Sequence, residues 1–276
     1  PPPPRRPAGR APWRIRVRIY ECDSLGHVNN AIYLHYLQQA TLEAWPEAGR
    51  WQLRRLSVEY AAQAFFGDSL LVHAWPLGLD VDQGLRCGYL IQRAEDNVAV
   101  LRAEATWVPS SAERHSHALA AAWPRVEPAT GFALRPARSP ANPIEGRVFH
   151  WQAIVRGYEV GRDGRVGPAE FLRWVEDARM AAASEVGWMP ARLAAAGCVV
   201  VQTRHDSDFV GSLTAGDRVV IHSRVVEMRR VRGVWRHEIY RGDQLAAVDH
   251  SAGAFLDLAG HPTAPPQAMV DGLMGQ

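Results

Sequence analysis

One segment near the start of the chain occurs a second time, and this repeat constrains the fold more than any other feature. Adding 138 to each residue number from Trp13 to Ala40 gives Trp151 to Ala178 without a gap. Ten of these 28 positions carry the same residue: Trp13/Trp151, Val17/Val155, Arg18/Arg156, Tyr20/Tyr158, Glu21/Glu159, Gly26/Gly164, Val28/Val166, Ala31/Ala169, Leu34/Leu172 and Ala40/Ala178. We therefore expect two copies of one structural unit.

The two copies differ at the positions where reactive side chains would lie. The first copy has Asp23, His27, Asn29 and Asn30 where the second has Gly161, Arg165, Gly167 and Pro168. The pattern predicts a duplicated scaffold in which a single copy carries the working site.

Length and composition agree with two small domains. The chain has 276 residues, 47% of them hydrophobic, which suits about two domains of roughly 100 to 150 residues. We expect a Pro-rich tail over 1–12, a first domain over 13–110, a linker over 111–146, a second domain over 147–262 and a C-terminal tail over 263–276.

Charge and cysteine content exclude several classes of protein. The formal net charge of +2 is spread over both halves, which provides no basic patch for a nucleic acid or an anionic membrane. The three cysteines are far apart and give neither a disulfide framework nor a metal-binding spacing. No stretch is long and apolar enough to span a membrane, and the start has no apolar core of a signal peptide. We expect a soluble, cytoplasmic protein without a metal or other cofactor.

The order of elements is also the same in both halves. Residues 14–20 alternate Ile and Val with Arg, which predicts a half-buried strand. A polar loop and a helix follow; the first helix is predicted to begin near Asn30, a good N-cap residue, and the second near Pro168, since proline suits a first helical turn. Four strand-like segments follow each helix. The fold class is α+β, with one helix and an antiparallel meander in each half.

One strand, a long helix and four more strands form the layout in which a curved antiparallel sheet wraps a helix, the hotdog fold. The segment DSLGHVNNAIYLHYLQQA (23–40) resembles the loop and helix of acyl-CoA thioesterases of the 4-hydroxybenzoyl-CoA thioesterase type. FLRWVEDARMAAASEVGW (171–188) and GSLTAGDRVVI (211–221) resemble the helix and following strand of the same family. The resemblance implies hydrolysis of an acyl thioester by two tandem hotdog domains.

The tandem layout also resembles acyl-carrier-protein thioesterases, but with departures. Their signature adds an asparagine two residues after the aspartate, and an acidic residue and a cysteine in a downstream strand. Those positions correspond to Leu25, Gln63 and Ala64 here. The departures favour the acyl-CoA type, and the expected substrate partner is an acyl-CoA or an acyl carrier protein.

Thioester hydrolysis needs a base or nucleophile beside the carbonyl carbon and N–H donors for the oxyanion. Asp23 suits the first role, and the N–H groups near Asn30 to Tyr33, at the positive end of the helix dipole, suit the second. A loop aspartate that only caps a turn is the alternative for Asp23. His27 suits polarising the carbonyl or orienting the base, and equally a hydrogen bond within the loop. Asn29 suits contact with substrate or bracing of the loop.

Further residues are assigned to substrate binding. They are Gly26, Ala31 and Tyr33 around the first loop and helix, and Trp174 and Arg179 on the second helix. The last two are expected to line the far wall of a pocket, because hotdog units normally pair and a fused pair would form an intramolecular pseudo-dimer. Such pseudo-dimers could assemble further into a homo-oligomer.

Two other functions stay open at this point. A hotdog hydratase or dehydratase would use Asp23 and His27 to move a proton and water across a double bond. A non-catalytic binder of acyl thioesters would need neither residue. Release of free thiol from a panel of acyl-CoAs separates these functions.

Overall fold

The chain divides into two units, and each has the same architecture. The structure is a computed structural model that describes residues 12–45, 51–80, 84–109, 132, 134–135 and 143–276. The first unit is Pro1–Pro136 and the second is Ala137–Gln276. The division falls in the stretch expected to be a linker, most of which lies outside the described residues, as does nearly all of the expected Pro-rich tail.

The first unit is one helix against a five-stranded antiparallel sheet. Its elements are β1 Trp13–Arg16, a 3-10 turn Ile19–Glu21, α1 Ile32–Ala44, β2 Trp51–Tyr60, β3 Ser69–Asp80, β4 Gly84–Arg93 and β5 Ala99–Pro109. The strands lie in the order β1-β3-β4-β5-β2. The described part of each unit therefore confirms the predicted order of strand, loop, helix and four strands.

The second unit repeats this arrangement and adds two short helices. Its elements are β6 Phe149–Ile154, a 3-10 turn Gly157–Glu159, α2 Pro168–Glu185, α3 Pro190–Ala195, β7 Cys198–Phe209, β8 Arg218–Arg229, β9 Arg232–Arg241, β10 Gln244–Asp257 and α4 Gln267–Met274. The strand order β6-β8-β9-β10-β7 is that of the first unit. Both sheets and both central helices identify the hotdog fold.

The helices are held to their sheets by apolar faces with a helical period. In α1, Tyr33, Leu34, Tyr36, Leu37, Ala40 and Thr41 are buried, as the spacing of apolar residues predicts. Thr41 Oγ1 lies 2.7 Å from the hydroxyl of Tyr89 in β4, which accepts a hydrogen bond from Trp107 Nε1 at 2.8 Å. The buried Tyr89 hydroxyl is thus hydrogen-bonded to both Thr41 and Trp107, and it fixes the rotation of α1 against the sheet.

Residues 263–276 differ from the expected tail. They contain α4, whose Met269 and Leu273 are buried in a cluster with Phe149, Val225 and Phe255. Its buried face consists of Met269 and Leu273, and a helix of eight residues is too short for this spacing to stand out in the sequence. The second unit therefore extends to the end of the chain.

Candidate functional site

Asp23 lies in a tight loop between the 3-10 turn and α1. The backbone closes on itself, since Asp23 N–H donates to the His27 carbonyl at 2.8 Å and Gly26 N–H donates to the Asp23 carbonyl at 3.0 Å. Gly26 has a φ of +80° and nothing within 4 Å of where a Cβ would lie. The glycine is therefore required by the backbone conformation and not by crowding.

The carboxylate of Asp23 is exposed, and one of its oxygens holds the loop. Oδ1 accepts hydrogen bonds from the backbone N–H of Leu25 at 2.8 Å and of His27 at 3.2 Å. Across the described residues, Oδ2 has no protein donor. One oxygen is thus fixed in position, and the other is presented to solvent.

His27 closes the same loop through its backbone and is half-buried. Its ring packs edge-to-face on Phe65 with 5.1 Å between centroids, and the two residues form an isolated antiparallel bridge. Within the described part of the chain, the imidazole makes no hydrogen bond. Packing, rather than a polar partner, sets its orientation.

The start of α1 corrects the prediction that Asn30 is the N-cap. Asn29 Oδ1 accepts the N–H of Ala31 at 2.9 Å, and the Asn29 carbonyl accepts the N–H of Ile32 at 3.0 Å. The N-cap of α1 is Ala31, one residue after Asn30, with no side-chain cap, and the Asn29 side chain closes the turn that leads into the helix. The N–H of Asn30 donates to no other described residue, so it is available beside the loop.

A buried glutamate that the sequence reasoning did not select holds the loop to the helix. Glu21 Oε2 accepts the backbone N–H of Arg18 at 2.7 Å and the hydroxyl of Tyr36 at 2.8 Å. The Glu21 carbonyl accepts the N–H of Asn29 at 2.9 Å. Burial and the neighbouring carboxylate keep the pKa of the Tyr36 phenol above its usual range. The sequence could have revealed this glutamate, because it is one of the ten residues that both copies share.

The second unit builds the same link with a different donor. Glu159 Oε2 accepts the N–H of Arg156 at 2.6 Å, and its Oε1 accepts Trp174 Nε1 at 3.1 Å. Trp174 is at the position of Tyr36, since 36 plus 138 is 174, and it is 3% exposed. Its indole N–H is therefore engaged inside the second unit, and the contact with substrate assigned to it stays a prediction.

The second loop keeps the backbone path without the carboxylate at the first position. Gly161 N–H donates to Arg165 O at 2.8 Å and Gly164 N–H to Gly161 O at 3.0 Å, as in the first loop. The cap comes from Asp163, whose Oδ1 accepts the N–H of Arg165 at 3.2 Å. A Cβ on Gly161 would lie 3.2 Å from that oxygen. The loop can thus be capped from another position, so its conformation alone does not require Asp23.

Both halves of the chain match known protein families. Residues 161–273 match the thioesterase-like superfamily, and residues 9–109 match the acyl-ACP thioesterase C-terminal domain. Together the two matches span most of the chain. The chain is a tandem hotdog thioesterase. No curated protein matches it in sequence.

Solved structures resemble this thioesterase over nearly its full length. A candidate oleoyl thioesterase from Lactobacillus plantarum matches with a TM-score of 0.67 and 13% identity, covering 93% of this chain and 97% of the other. The 12:0-ACP thioesterase from Umbellularia californica has a TM-score of 0.62 and 12% identity, covering 87% and 92%. An acyl-ACP thioesterase from Bacteroides thetaiotaomicron also has a TM-score of 0.62 and 12% identity, and the match covers 87% of this chain and 96% of the other. At these identities the likeness establishes the fold.

The remaining residues assigned to the thioesterase site lie on or near the central helices. Ala31 and Tyr33 are buried at the start of α1, and the Tyr33 ring packs against Tyr36 and Tyr60 at 5.9 Å. Burial raises the pKa of the Tyr33 phenol. Arg179, on α2, donates to the side-chain carbonyl of Gln202 within the second unit. Among the helices that the structure describes, none is long and apolar enough to cross a membrane.

Proposed function

We propose that the thioesterase hydrolyses acyl thioesters at the first loop, with Asp23 as general base or nucleophile and the N–H of Asn30 as a donor to the oxyanion. The proposal rests chiefly on one comparison. Two loops of the same backbone path differ in that the first presents a carboxylate and a helix-start N–H, whereas the second has Gly161 and Pro168, which supply neither.

The arrangement suits acyl transfer. The Asp23 carboxylate is fixed through Oδ1, so the lone pairs of Oδ2 keep a defined direction toward an incoming thioester. The N–H of Asn30 lies at the positive end of α1, where negative charge on the carbonyl oxygen is stabilised. Glu21 holds both parts together through Arg18, Asn29 and Tyr36.

Two reaction courses use the same groups. As a base, Asp23 takes a proton from water while the water oxygen attacks the thioester carbon; the C–S bond then breaks and the thiolate takes up the proton. As a nucleophile, the Asp23 oxygen attacks instead, the thiolate leaves, and water hydrolyses the resulting anhydride. His27, packed on Phe65, orients the loop.

The function is tested with Asp23→Asn and the matched control Asp163→Asn. Both replacements remove a charge from a loop cap and keep its shape. We expect Asp23→Asn to lower thiol release from acyl-CoA by about 100-fold or more, since loss of a positioned base typically has that effect. Asp163→Asn should leave the rate within about twofold. Near wild-type hydrolysis by the Asp23 variant would overturn the assignment.

A single turnover in water labelled with oxygen-18 tests whether Asp23 acts as a general base or as a nucleophile. If Asp23 is a general base, the labelled water attacks the thioester carbon and its oxygen enters the product acid directly. If Asp23 is the nucleophile and water attacks the aspartyl carbon of the anhydride, an unlabelled Asp23 oxygen leaves with the product and the label enters Asp23. Label found by mass spectrometry in the peptide that contains Asp23, together with an unlabelled product, establishes the nucleophilic course.

A further inference from the structure

The loop that carries the proposed catalytic carboxylate packs against a short backbone segment, residues 63–65, in the connection between β2 and β3. Val28 N–H donates to the Ala64 carbonyl at 2.9 Å. His27 forms an isolated antiparallel bridge with Phe65, and the centroids of their rings are 5.1 Å apart. The position of the loop therefore depends on the position of this segment, which we call the backing segment.

Arg93, the last residue of β4, also holds the backing segment. Its Nη1 donates to the Gln63 carbonyl at 3.3 Å. Its Nε and Nη2 donate to the two carboxylate oxygens of Asp96 at 3.2 and 2.8 Å. A planar guanidinium that is bound at two points keeps a defined direction. Its bond to Gln63 therefore restrains the backing segment.

The turn that carries Arg93 is held by further hydrogen bonds. Asp96 Oδ1 accepts the N–H of Val98 at 3.0 Å, and Arg93 N–H donates to the Val98 carbonyl at 3.0 Å. Ala94 N–H donates to the carbonyl of Ser69, the first residue of β3, at 2.8 Å. Arg93 is therefore tied to the strand that follows the backing segment and can hold the segment against it.

The second unit has an equivalent of the backing segment. Leu213 O accepts the N–H of Val166 at 2.9 Å, just as Ala64 O accepts that of Val28. Residues 212–214 therefore support the second loop through the same backbone bond.

The arginine of the second unit has other partners. Arg241 ends β9 as Arg93 ends β4. Its Nη2 donates to Gln244 Oε1 at 2.8 Å, and its Nη1 lies 3.5 Å from Asp217 Oδ2. Across the described residues, it makes no hydrogen bond to the segment 212–214. The arginine thus occurs in both units, but it holds the backbone segment only in the unit whose loop carries the carboxylate.

We propose that Arg93 is a positioning residue for thioester hydrolysis. By restraining the backing segment, it fixes the backbone of His27, whose N–H binds the Asp23 carboxylate. The inference rests on the proposed function and adds a residue to it. A displacement of about 1 Å at a reacting group can lower a rate by about 100-fold. Loss of Arg93 should therefore slow the chemical step and leave substrate binding nearly unchanged.

The kinetic test compares Arg93→Gln with the matched control Arg241→Gln. We expect Arg93→Gln to lower kcat for acyl-CoA about tenfold with KM within about twofold. Arg241→Gln should leave kcat within about twofold. Arg93→Lys should give an intermediate kcat, because a single ammonium cannot bind Asp96 at two points and Gln63 together. An equal fall of kcat in Arg93→Gln and Arg241→Gln would overturn the positioning role.

Hydrogen exchange of the Val28 amide reports on the backing segment, because this N–H binds the Ala64 carbonyl. In Arg93→Gln, NMR should show Val28 exchanging about tenfold faster, since a local restraint is lost. Val166 in the second unit should keep its rate. Arg241→Gln should leave the Val28 rate unchanged. Equal acceleration of Val28 and Val166 by Arg93→Gln would show a general loss of stability and would contradict the proposal.

Combining Asp23→Asn with Arg93→Gln separates this inference from the proposed function. Two residues that act through one group have non-additive effects, so the double variant should keep the kcat of Asp23→Asn within about twofold. A further tenfold fall, of about the size expected for Arg93→Gln alone, would show that Arg93 acts independently of Asp23 and would refute the inference. Near wild-type hydrolysis by Asp23→Asn would refute the proposed function, and Val28 exchange would still decide whether Arg93 positions the loop.

Discussion

The two carboxylate oxygens of Asp23 have different surroundings. Its Oδ1 caps the loop through Leu25 and His27, and its other oxygen is presented to solvent. In the duplicate loop, where position 161 is glycine, the cap comes from Asp163 instead. At residue scale, the turn alone therefore does not require a carboxylate at position 23, which supports the catalytic role proposed for it.

At the same scale, His27→Ala should lower kcat by about tenfold or less, a smaller loss than that of Asp23→Asn. The imidazole contacts Phe65 through its ring, and its backbone N–H, which Asp23 binds, is unchanged by the substitution. Steady-state kinetics on one acyl-CoA tests the ranking. A loss equal to that of Asp23→Asn would make His27 an equal catalytic partner.

At the scale of elements, the 3-10 turn and the central helix act as one body through a buried glutamate. Glu21→Gln should destabilise the protein by about 1–3 kcal/mol, because a neutral amide oxygen accepts the two hydrogen bonds of Oε2 more weakly than a carboxylate does. The displaced loop should also lower kcat about tenfold.

Glu159→Gln is the matched variant of the second unit, where Arg156 and Trp174 bind the glutamate. We expect a comparable loss of stability in urea unfolding and kcat within about twofold. A similar fall of kcat in both variants would show that the effect of Glu21 is general and not local to the Asp23 loop.

The second sheet carries a row of buried polar side chains. His237 in β9 lies between Ser223 Oγ at 2.8 Å and Ser251 Oγ at 3.1 Å. In the neighbouring strands, Asp249 binds His205 at 3.0 Å and Ser207 at 2.6 Å. Burial lowers the pKa of His237 to about 3. Burial opposes ionisation of Asp249, but His205 beside it holds the pKa of that carboxyl below its usual range.

This row predicts a loss of stability in acid. The unfolded chain binds a proton at His237 below about pH 6.5, whereas the folded chain does so only near pH 3. The free energy of unfolding should therefore fall as pH drops from about 6.5 toward 3, by about 1 kcal/mol per pH unit for this group. Asp249 adds a loss of the same sign at lower pH. In His237→Gln, the free energy of unfolding measured with urea should depend less steeply on pH across this range. An unchanged pH dependence would contradict the prediction.

At the scale of the whole molecule, each chain should hold one competent site. The second loop has neither a carboxylate at position 161 nor, because of Pro168, an N–H at the start of its helix. A non-hydrolysable acyl-CoA analogue should titrate at one equivalent per chain by calorimetry. Two equal sites would contradict this. The packing of the two units as a pseudo-dimer stays a prediction.

The sequence by itself determined the duplication and the order of strands and helix in each unit, and it predicts a single reactive carboxylate at Asp23. These features are encoded locally, in alternation, helical spacing and the differences between aligned copies. The N-cap at Ala31 escaped the pattern because asparagine is the residue that suits a helix start, and only the backbone path shows where the helix begins.

Other features were decided by tertiary structure alone. The bonds of Glu21 to Tyr36 and of His237 to its neighbouring strands join residues 14 or more apart in sequence. The burial of α4 likewise depends on Phe149 and Phe255 beneath it. The partner of such a side chain is distant in sequence, so no local periodicity predicts the contact. The contact stabilises the protein only once the sheet has formed.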